Sequence, residues 1–266
     1  MPKKILTIAG SDILAGGGIQ ADLATFNEYG LFGMSVITSI VTVIGEDFTV
    51  HEVDSAVLAQ QLASVQDIEF AAIKVGLVPS VAAIQQVSAF LEAFVGKIPI
   101  IIDPVMVFKE AGASQVAEIK QAMQTLLFPL ATIITPNLTE AELLTDLTIN
   151  DEASLIAGAQ TLQHQVTNVV VKGGARLAGA TALDVLVTPS ATTPLNTTKL
   201  AVPYNNGAGC TFASAIASGL ALQQPVLAAV TDAKAFVAQG INHGVCLQDA
   251  AFGNVWQAAR RLNGDN

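Results

Sequence analysis

The chain has little of what several common protein classes depend on. Its 266 residues include two cysteines, three histidines and one tryptophan, and charged residues make up 13%. Cys210 and Cys246 show no CxxC spacing and are too few to staple a fold of this size. His51, His164 and His243 lack metal-ligand spacing and no HExxH occurs, so surface or capping roles are expected for them. Low charge combined with 52% hydrophobic content excludes a disordered chain. Twelve Lys+Arg against 22 Asp+Glu give a net charge of −10, which repels a phosphate backbone and argues against nucleic-acid or anionic-membrane binding. Any anionic ligand must be held locally. No run approaches the ~18 consecutive apolar residues of a spanning helix. The charge-free stretch 200–231 is interrupted by Asn205, Asn206, Gln223, Gln224 and two prolines, and reads as a buried element between loops. The apolar run after Lys3 and Lys4 is too short for a signal peptide and soon meets Asp12, so a first strand and a cytoplasmic location are expected.

What is present is a repeated order of elements. Five short runs, 5–10, 70–76, 98–103, 131–137 and 168–174, are continuously apolar and rich in Val and Ile. Continuous rather than alternating apolarity suits strands buried on both faces, the usual condition of a parallel sheet. Helix-period stretches lie between them at 18–29, 81–95, 116–127, 138–144 and 151–163. Residues 36–43 add a β-rich segment, 182–187 followed by 199–202 suggests a late hairpin, and 209–222, 227–240 and 252–262 read as helices. This pattern predicts one α/β domain over residues 1–266, with a mostly parallel sheet between helices. Ligands of such sheets bind beyond the carboxyl ends of the strands. Those ends carry Gly10, Ser11 and Asp12, then Lys74 and Gly76, Asp103, Asn137, and Lys172, Gly173 and Gly174. Carboxylates suit Mg²⁺, while Lys and glycine N–H groups suit phosphate oxygens.

Three constellations stand out. Gly207, Ala208, Gly209 and Cys210 precede a helix of small residues, where exposed N–H groups and the helix dipole would form an anion hole and lower the thiol pKa. An ordinary loop-to-helix turn with an inert buried cysteine is the plain alternative. Asn137, Thr139 and Glu140 open another helix, where Asn137 or Thr139 would serve as a cap, or Glu140, with Asp103, would hold a water on Mg²⁺. Gly16-Gly17-Gly18-Ile19-Gln20-Ala21 fits a loose dinucleotide fingerprint, but residues 11–15 separate it from the strand and no acidic residue closes a second strand ~20 residues on. A better use of that loop is to present Asp22 to a small polar substrate. No G-x-S-x-G elbow supports a hydrolase.

Together the motifs resemble a known family. Ala9-Gly10-Ser11-Asp12, Gly16-Gly17-Gly18-Ile19-Gln20-Ala21-Asp22, Ile102-Asp103-Pro104-Val105-Met106-Val107, Thr135-Pro136-Asn137-Leu138-Thr139-Glu140 and Gly207-Ala208-Gly209-Cys210-Thr211-Phe212 occur in the order found in the hydroxymethylpyrimidine and pyridoxal kinase branch of the ribokinase-like superfamily. The resemblance spans essentially the whole chain. It implies a three-layer αβα kinase that uses ATP and Mg²⁺ to phosphorylate a hydroxymethyl group on a nitrogen heterocycle, and a homodimer. It implies further that Gly10, Gly17 and Asp22 border the ring, that Asn137, Lys172, Gly174 and Gly209 hold ATP, and that Asp103 and Glu140 serve the metal. Gly207, Ala208, Gly209 and Cys210 would form the catalytic turn, with a Cys210 thiolate accepting the hydroxyl proton. Pyrimidine kinases of the branch carry a glutamine where Val43 stands, and valine cannot make that hydrogen bond. The expected substrate is therefore pyridoxal, with pyridoxine and pyridoxamine, in vitamin B6 salvage. A hydroxymethylpyrimidine kinase of thiamine biosynthesis is the first alternative, ahead of a nicotinamide oxidoreductase or a silent vitamin-binding module. Some pyridoxal kinases of the branch carry a second cysteine where Phe108 stands here.

Overall fold

A computed structural model describes residues 1–45, 47–106, 113–174, 176–247 and 252–262. Phe108 and Val107 lie outside the described residues. In chain order the elements are β1 (Lys4–Asp12), α1 (Gly18–Glu28), β2 (Phe32–Ile44), β3 (Asp47–Glu52), α2 (Ser55–Val65), β4 (Ala72–Val75), α3 (Val81–Leu91), β5 (Ile100–Ile102), α4 (Ala113–Ala122), β6 (Ile133–Ile134), α5 (Leu138–Thr145), α6 (Glu152–Gln163), β7 (Asn168–Gly174), β8 (Thr181–Thr188), β9 (Ala191–Thr198), α7 (Ala208–Ala221), α8 (Val226–Asn242), β10 (Val245–Cys246), β11 (Gly253–Asn254) and α9 (Ala259–Leu262). Nine strands form one sheet in the order β3-β2-β1-β4-β5-β6-β7-β8-β9. The pairs from β2 through β7 are parallel, and β3, β8 and β9 extend the two edges antiparallel.

The apolar runs are continuous because successive side chains point to opposite faces and both faces are covered. In β5, Ile100 and Ile102 join the core beneath α2 to α6, while Ile101 joins the core beneath α1, α7 and α8. Val169 and Val171 likewise point one way and Val170 the other. Each such buried side chain contributes about 1.5–3 kcal/mol relative to exposure. The architecture is α/β with three layers. No helix among the described residues is long and apolar enough to cross a membrane.

Three segments differ from the sequence expectation. The partner of β8 is β9 at Ala191–Thr198, not 199–202; six of its residues are Ala, Thr or Asn, so no apolar run marks this edge strand. The segment 252–262 is not one helix, because β11 pairs with β10 and Asn206 before α9 begins. Finally, β2 continues through a turn at Gly45 (φ 63°) into β3, an overhanging hairpin that places Phe48 directly opposite Val43.

Chain direction sets the site. From β1 the chain moves to β2 on one side and then returns to β4 on the other, so the sheet order reverses between β1 and β4. Beyond the carboxyl ends of such strands a crevice opens.

Candidate active site

Two cavities lie above these strand ends. One, of about 480 Å³, is walled by Asp12, Gly16, Gly17, Val43, Phe48, Asp103, Glu140, Gly207 and Cys210 among others. The second, of about 370 Å³, is bounded by Gly174, Ala208, Phe212, Leu200, Val202, Lys234, Val237 and Ile241 among others. Asn137, Lys172 and Gly209 border both, so the cavities meet at a lysine and the first turn of a helix.

That turn is built by backbone. Gly207 caps α7 at φ 80°, and a Cβ there would stand 1.5 Å from the Gly16 carbonyl oxygen, so the two glycine loops touch directly. Asp12 shapes the other loop: its Oδ2 accepts the Gly17 amide at 2.9 Å and its Oδ1 the Leu14 amide at 2.9 Å. Asn254 Nδ2 donates to the Leu14 carbonyl at 2.8 Å and Asn206 Nδ2 to the Gly253 carbonyl at 3.0 Å, tying the loop to β11. The Ala208 amide is spent on the Asn205 carbonyl at 3.1 Å, whereas Gly209 and Cys210 belong to the first turn, where amides have no intrahelical acceptor. Of the 207–210 amides expected to form an anion hole, that of Ala208 is thus already engaged.

Lys172, at the end of β7, donates from Nζ to Asp103 Oδ1 at 2.8 Å, and Thr135 Oγ1 donates to the same oxygen at 2.8 Å. Burial opposes the charged form of Asp103, but Lys172 and Lys74 outweigh it and hold the carboxyl below its ordinary range. Lys172 is in turn held above its ordinary value by Asp103 and Glu140, against the pull of burial. Asn137 Oδ1 accepts the Glu140 amide at 3.0 Å and Glu140 Oε2 accepts the Asn137 amide at 2.8 Å, a reciprocal cap of α5. Both residues also line the cavity. Burial first, and the Asp103 charge after it, push Glu140 up to about 7 despite the opposing pull of Lys172.

A divalent cation fits this chemistry in one specific way. Among the described residues no three His, Cys, Asp or Glu side chains gather into a metal cage. Mg²⁺ needs none, since it takes one or two carboxylates and completes its shell with water and phosphate oxygens. Two neighbouring carboxylates, one reluctant to ionise beside the other, suit such a cation.

The structure corrects three expectations. Cys210 lines the cavity at the third residue of α7, yet burial pushes its thiol up to about 11, so the helix terminus does not make it a resting thiolate. Asp22, expected to be presented to a substrate, lines neither cavity: it is fully buried and accepts from Thr7, Lys74 and Ser214. Gly10 lies behind the wall, its carbonyl packed so closely under Gly18 (φ 58°) that a Cβ there would come within 2.2 Å. Gly17, Val43, Asp103, Asn137, Glu140, Lys172, Gly207, Gly209 and Cys210 do share the first cavity, and Gly174 and Ala208 line the second. Phe48, Phe252 and Asn254 also line the first cavity; from the sequence Phe252 is expected only to pack, and Phe48 and Asn254 belong to no motif. A turn glycine between two β-rich runs was the signal for Phe48. Exposed His164 and His243 cap α6 and α8.

Comparison with known proteins adds the family. The phosphomethylpyrimidine kinase family profile matches residues 12–255. The chain is 37% identical over 268 residues to pyridoxine kinase of Bacillus subtilis, covering 98% of this chain and 97% of that enzyme. It is 36% identical over 249 residues to the hydroxymethylpyrimidine/phosphomethylpyrimidine kinase of Haemophilus influenzae, covering 91% of each. Among solved structures, pyridoxal kinase of Bacillus subtilis as an ADP complex superposes with a TM-score of 0.92 at 36% identity, over 99% of this chain and 100% of that one. Pyridoxal kinase of Staphylococcus aureus with AMP-PCP and pyridoxal gives 0.90 at 34% identity, over 97% and 94%. Phosphomethylpyrimidine kinase of Clostridium difficile gives 0.75 at 34% identity, over 90% and 99%. With a family profile spanning most of its length and whole-chain relatives above a third identity, the chain belongs to the phosphomethylpyrimidine kinase family and is a kinase of the ribokinase-like fold.

Proposed function

We propose that the protein transfers the γ-phosphoryl group of ATP to the 5′-hydroxyl of pyridoxal, and of pyridoxine and pyridoxamine, as one kinase domain in vitamin B6 salvage. The observation that carries this reading is the meeting of the two cavities at Lys172, Gly209 and Asn137. The second cavity, with Leu200, Val202, Val237 and Ile241, would take the nucleoside; the first would take the vitamin, its hydroxyl beside Cys210 and the phosphates at the joint. Phosphoryl transfer asks a protein mainly for alignment and charge neutralisation. The amides of Gly209 and Cys210 would hold the transferring phosphoryl oxygens, and Lys172 would leave its bond with Asp103 to neutralise charge on them. Asp103 and Glu140 would hold Mg²⁺, which when bound neutralises the phosphates. A thiol protonated at rest would hydrogen-bond the acceptor hydroxyl and orient it, and Sγ would accept the hydroxyl proton only when in the minor thiolate form.

Preference for the pyridine is supported by the wall of the first cavity, where Val43 faces Phe48 across the hairpin and neither side chain has a hydrogen-bonding atom. An aminopyrimidine there would lose a polar contact, and a missing partner of that kind discriminates strongly. The fuller superposition on pyridoxal kinases, at similar sequence identity, points the same way. A coupled ADP-release assay across the B6 vitamers and hydroxymethylpyrimidine is expected to give a kcat/KM for pyridoxal at least ~10-fold higher. Val43→Gln is expected to narrow that ratio. A higher value for the pyrimidine in the wild-type protein would transfer the reading to the thiamine precursor.

A further inference from the structure

One buried ion pair lines neither cavity, although its lysine helps to keep Asp103 ionised. Lys74 Nζ lies 2.9 Å from Asp22 Oδ2, and both side chains are fully buried. Thr7 Oγ1 donates to Oδ2 of Asp22 at 2.6 Å and Ser214 Oγ to Oδ1 at 2.6 Å, so one carboxylate on α1 gathers β1, β4 and α7. Stability alone is a weak reason for such a pair, since well-packed apolar residues often replace buried ion pairs without loss.

Its position under the thiol is more informative. Ser214 follows Cys210 by four residues on α7, and Asp22 follows Gly18 by four on α1. Residues four apart share a helix face, about 5–6 Å from one another. At the top of the two helices a Cβ on Gly17 would lie 3.5 Å from Cys210 Sγ, and one turn lower Ser214 and Asp22 are hydrogen-bonded. Lys74 extends from β4 until its Nζ would stand 2.6 Å from a Cβ on Gly76. The other groups around the thiol are Asp103 and Lys172 at the ends of β5 and β7, the Gly18 amide and, across Gly17, Asp12, whose Oδ2 would stand 4.0 Å from the same Gly17 Cβ; Glu140 lines the same cavity.

We propose that Lys74 and Asp22 are positioning residues for Cys210: an opposed pair of charges one helical turn beneath it, the ammonium serving as counter-charge to a thiolate at Sγ and the carboxylate restraining both the ammonium and the first turns of α1 and α7. After burial, the influences on the Cys210 proton are in keeping with this, Lys74 favouring its release and Asp22 and Asp103 opposing it. The proposal deepens the functional reading, which places Cys210 beside the acceptor hydroxyl, but its test needs no turnover.

The test is iodoacetamide alkylation of Cys210 in the full chain at pH 8, with peptide mapping to separate it from Cys246. Lys74→Met is expected to slow alkylation at Cys210 about tenfold or more, the scale of one unit charge acting over a helical turn at intermediate dielectric. Adding Asp22→Asn to Lys74→Met removes the opposing charge and is expected to restore the rate to within about threefold of wild type. A purely architectural pair predicts a double variant no faster than the single one; that result, or an unchanged single variant, would overturn the proposal. Removing one partner of a buried pair is costly, so if Lys74→Met does not fold, Asp22→Asn is read instead. Faster alkylation than wild type then supports the proposal, and an equal or slower rate overturns it. Absence of ADP release with every vitamer, alongside the expected alkylation pattern, would sink the functional reading and leave the role of the pair standing.

Discussion

A thiol near a helix N-terminus ordinarily loses its proton more easily, yet at Cys210 burial outweighs the helix and pushes the group up to about 11. Cys210→Ala is therefore expected to lower kcat by roughly 10²-fold, the low end of general-base effects, with little change in KM for ATP. Because the thiolate fraction grows as pH rises toward the raised value, the gap between wild type and variant is expected to widen from pH 7 to 9; a constant ratio in kcat–pH profiles would remove the thiolate from the mechanism. Glu140 is raised by burial as well. Burial pushes its carboxyl up from its ordinary 4.5 to about 7, so between those values the folded protein binds more protons than the unfolded chain. Its contribution to stability accordingly falls as pH rises through that window. The same proton competes with a cation. Half-saturating Mg²⁺ for turnover is expected to climb as pH falls below about 7, and Glu140→Gln is expected to abolish most of that slope in Mg²⁺ titrations at pH 6 and 8.

Among the elements, the first turn of α7 decides most about the site, and it depends on contact with a loop nearly two hundred residues away in sequence. Gly207→Ala would place a Cβ 1.5 Å from the Gly16 carbonyl oxygen in a left-handed backbone. The expected cost is at least ~1–3 kcal/mol, a fall in Tm of several degrees, accompanied by loss of nearly all kcat. Thermal unfolding and steady-state kinetics check both, and a variant with wild-type values would show that the two loops separate freely. The strand and helix runs around this turn were legible because apolar patterning is a local property. Weakly apolar β9 was not, since an edge strand needs less apolar surface, and the 252–262 segment was misread because its pairing with Asn206 is long-range.

For the whole molecule, the β2–β3 edge bears on association. Ile40 and Ile44 of β2 are 48% and 78% exposed and, four residues apart on one strand, share a face. If the homodimer expected from the family resemblance uses this edge, light scattering would give a dimeric mass for the wild-type chain and a monomeric one for Ile44→Lys; a monomeric wild type would remove the expectation.

By itself the amino-acid order determined the layered α/β fold, because strands covered on both faces must be apolar throughout, and it marked the strand ends where Asp103, Asn137 and Lys172 stand. Only the tertiary structure decided what those residues experience. Asp22 was expected to meet a substrate and is instead enclosed by Thr7, Lys74 and Ser214. Cys210 was expected to be acidic and is instead reluctant to ionise. Burial and the sign of neighbouring charge are sums over every element packed around a group, and no local pattern carries that sum.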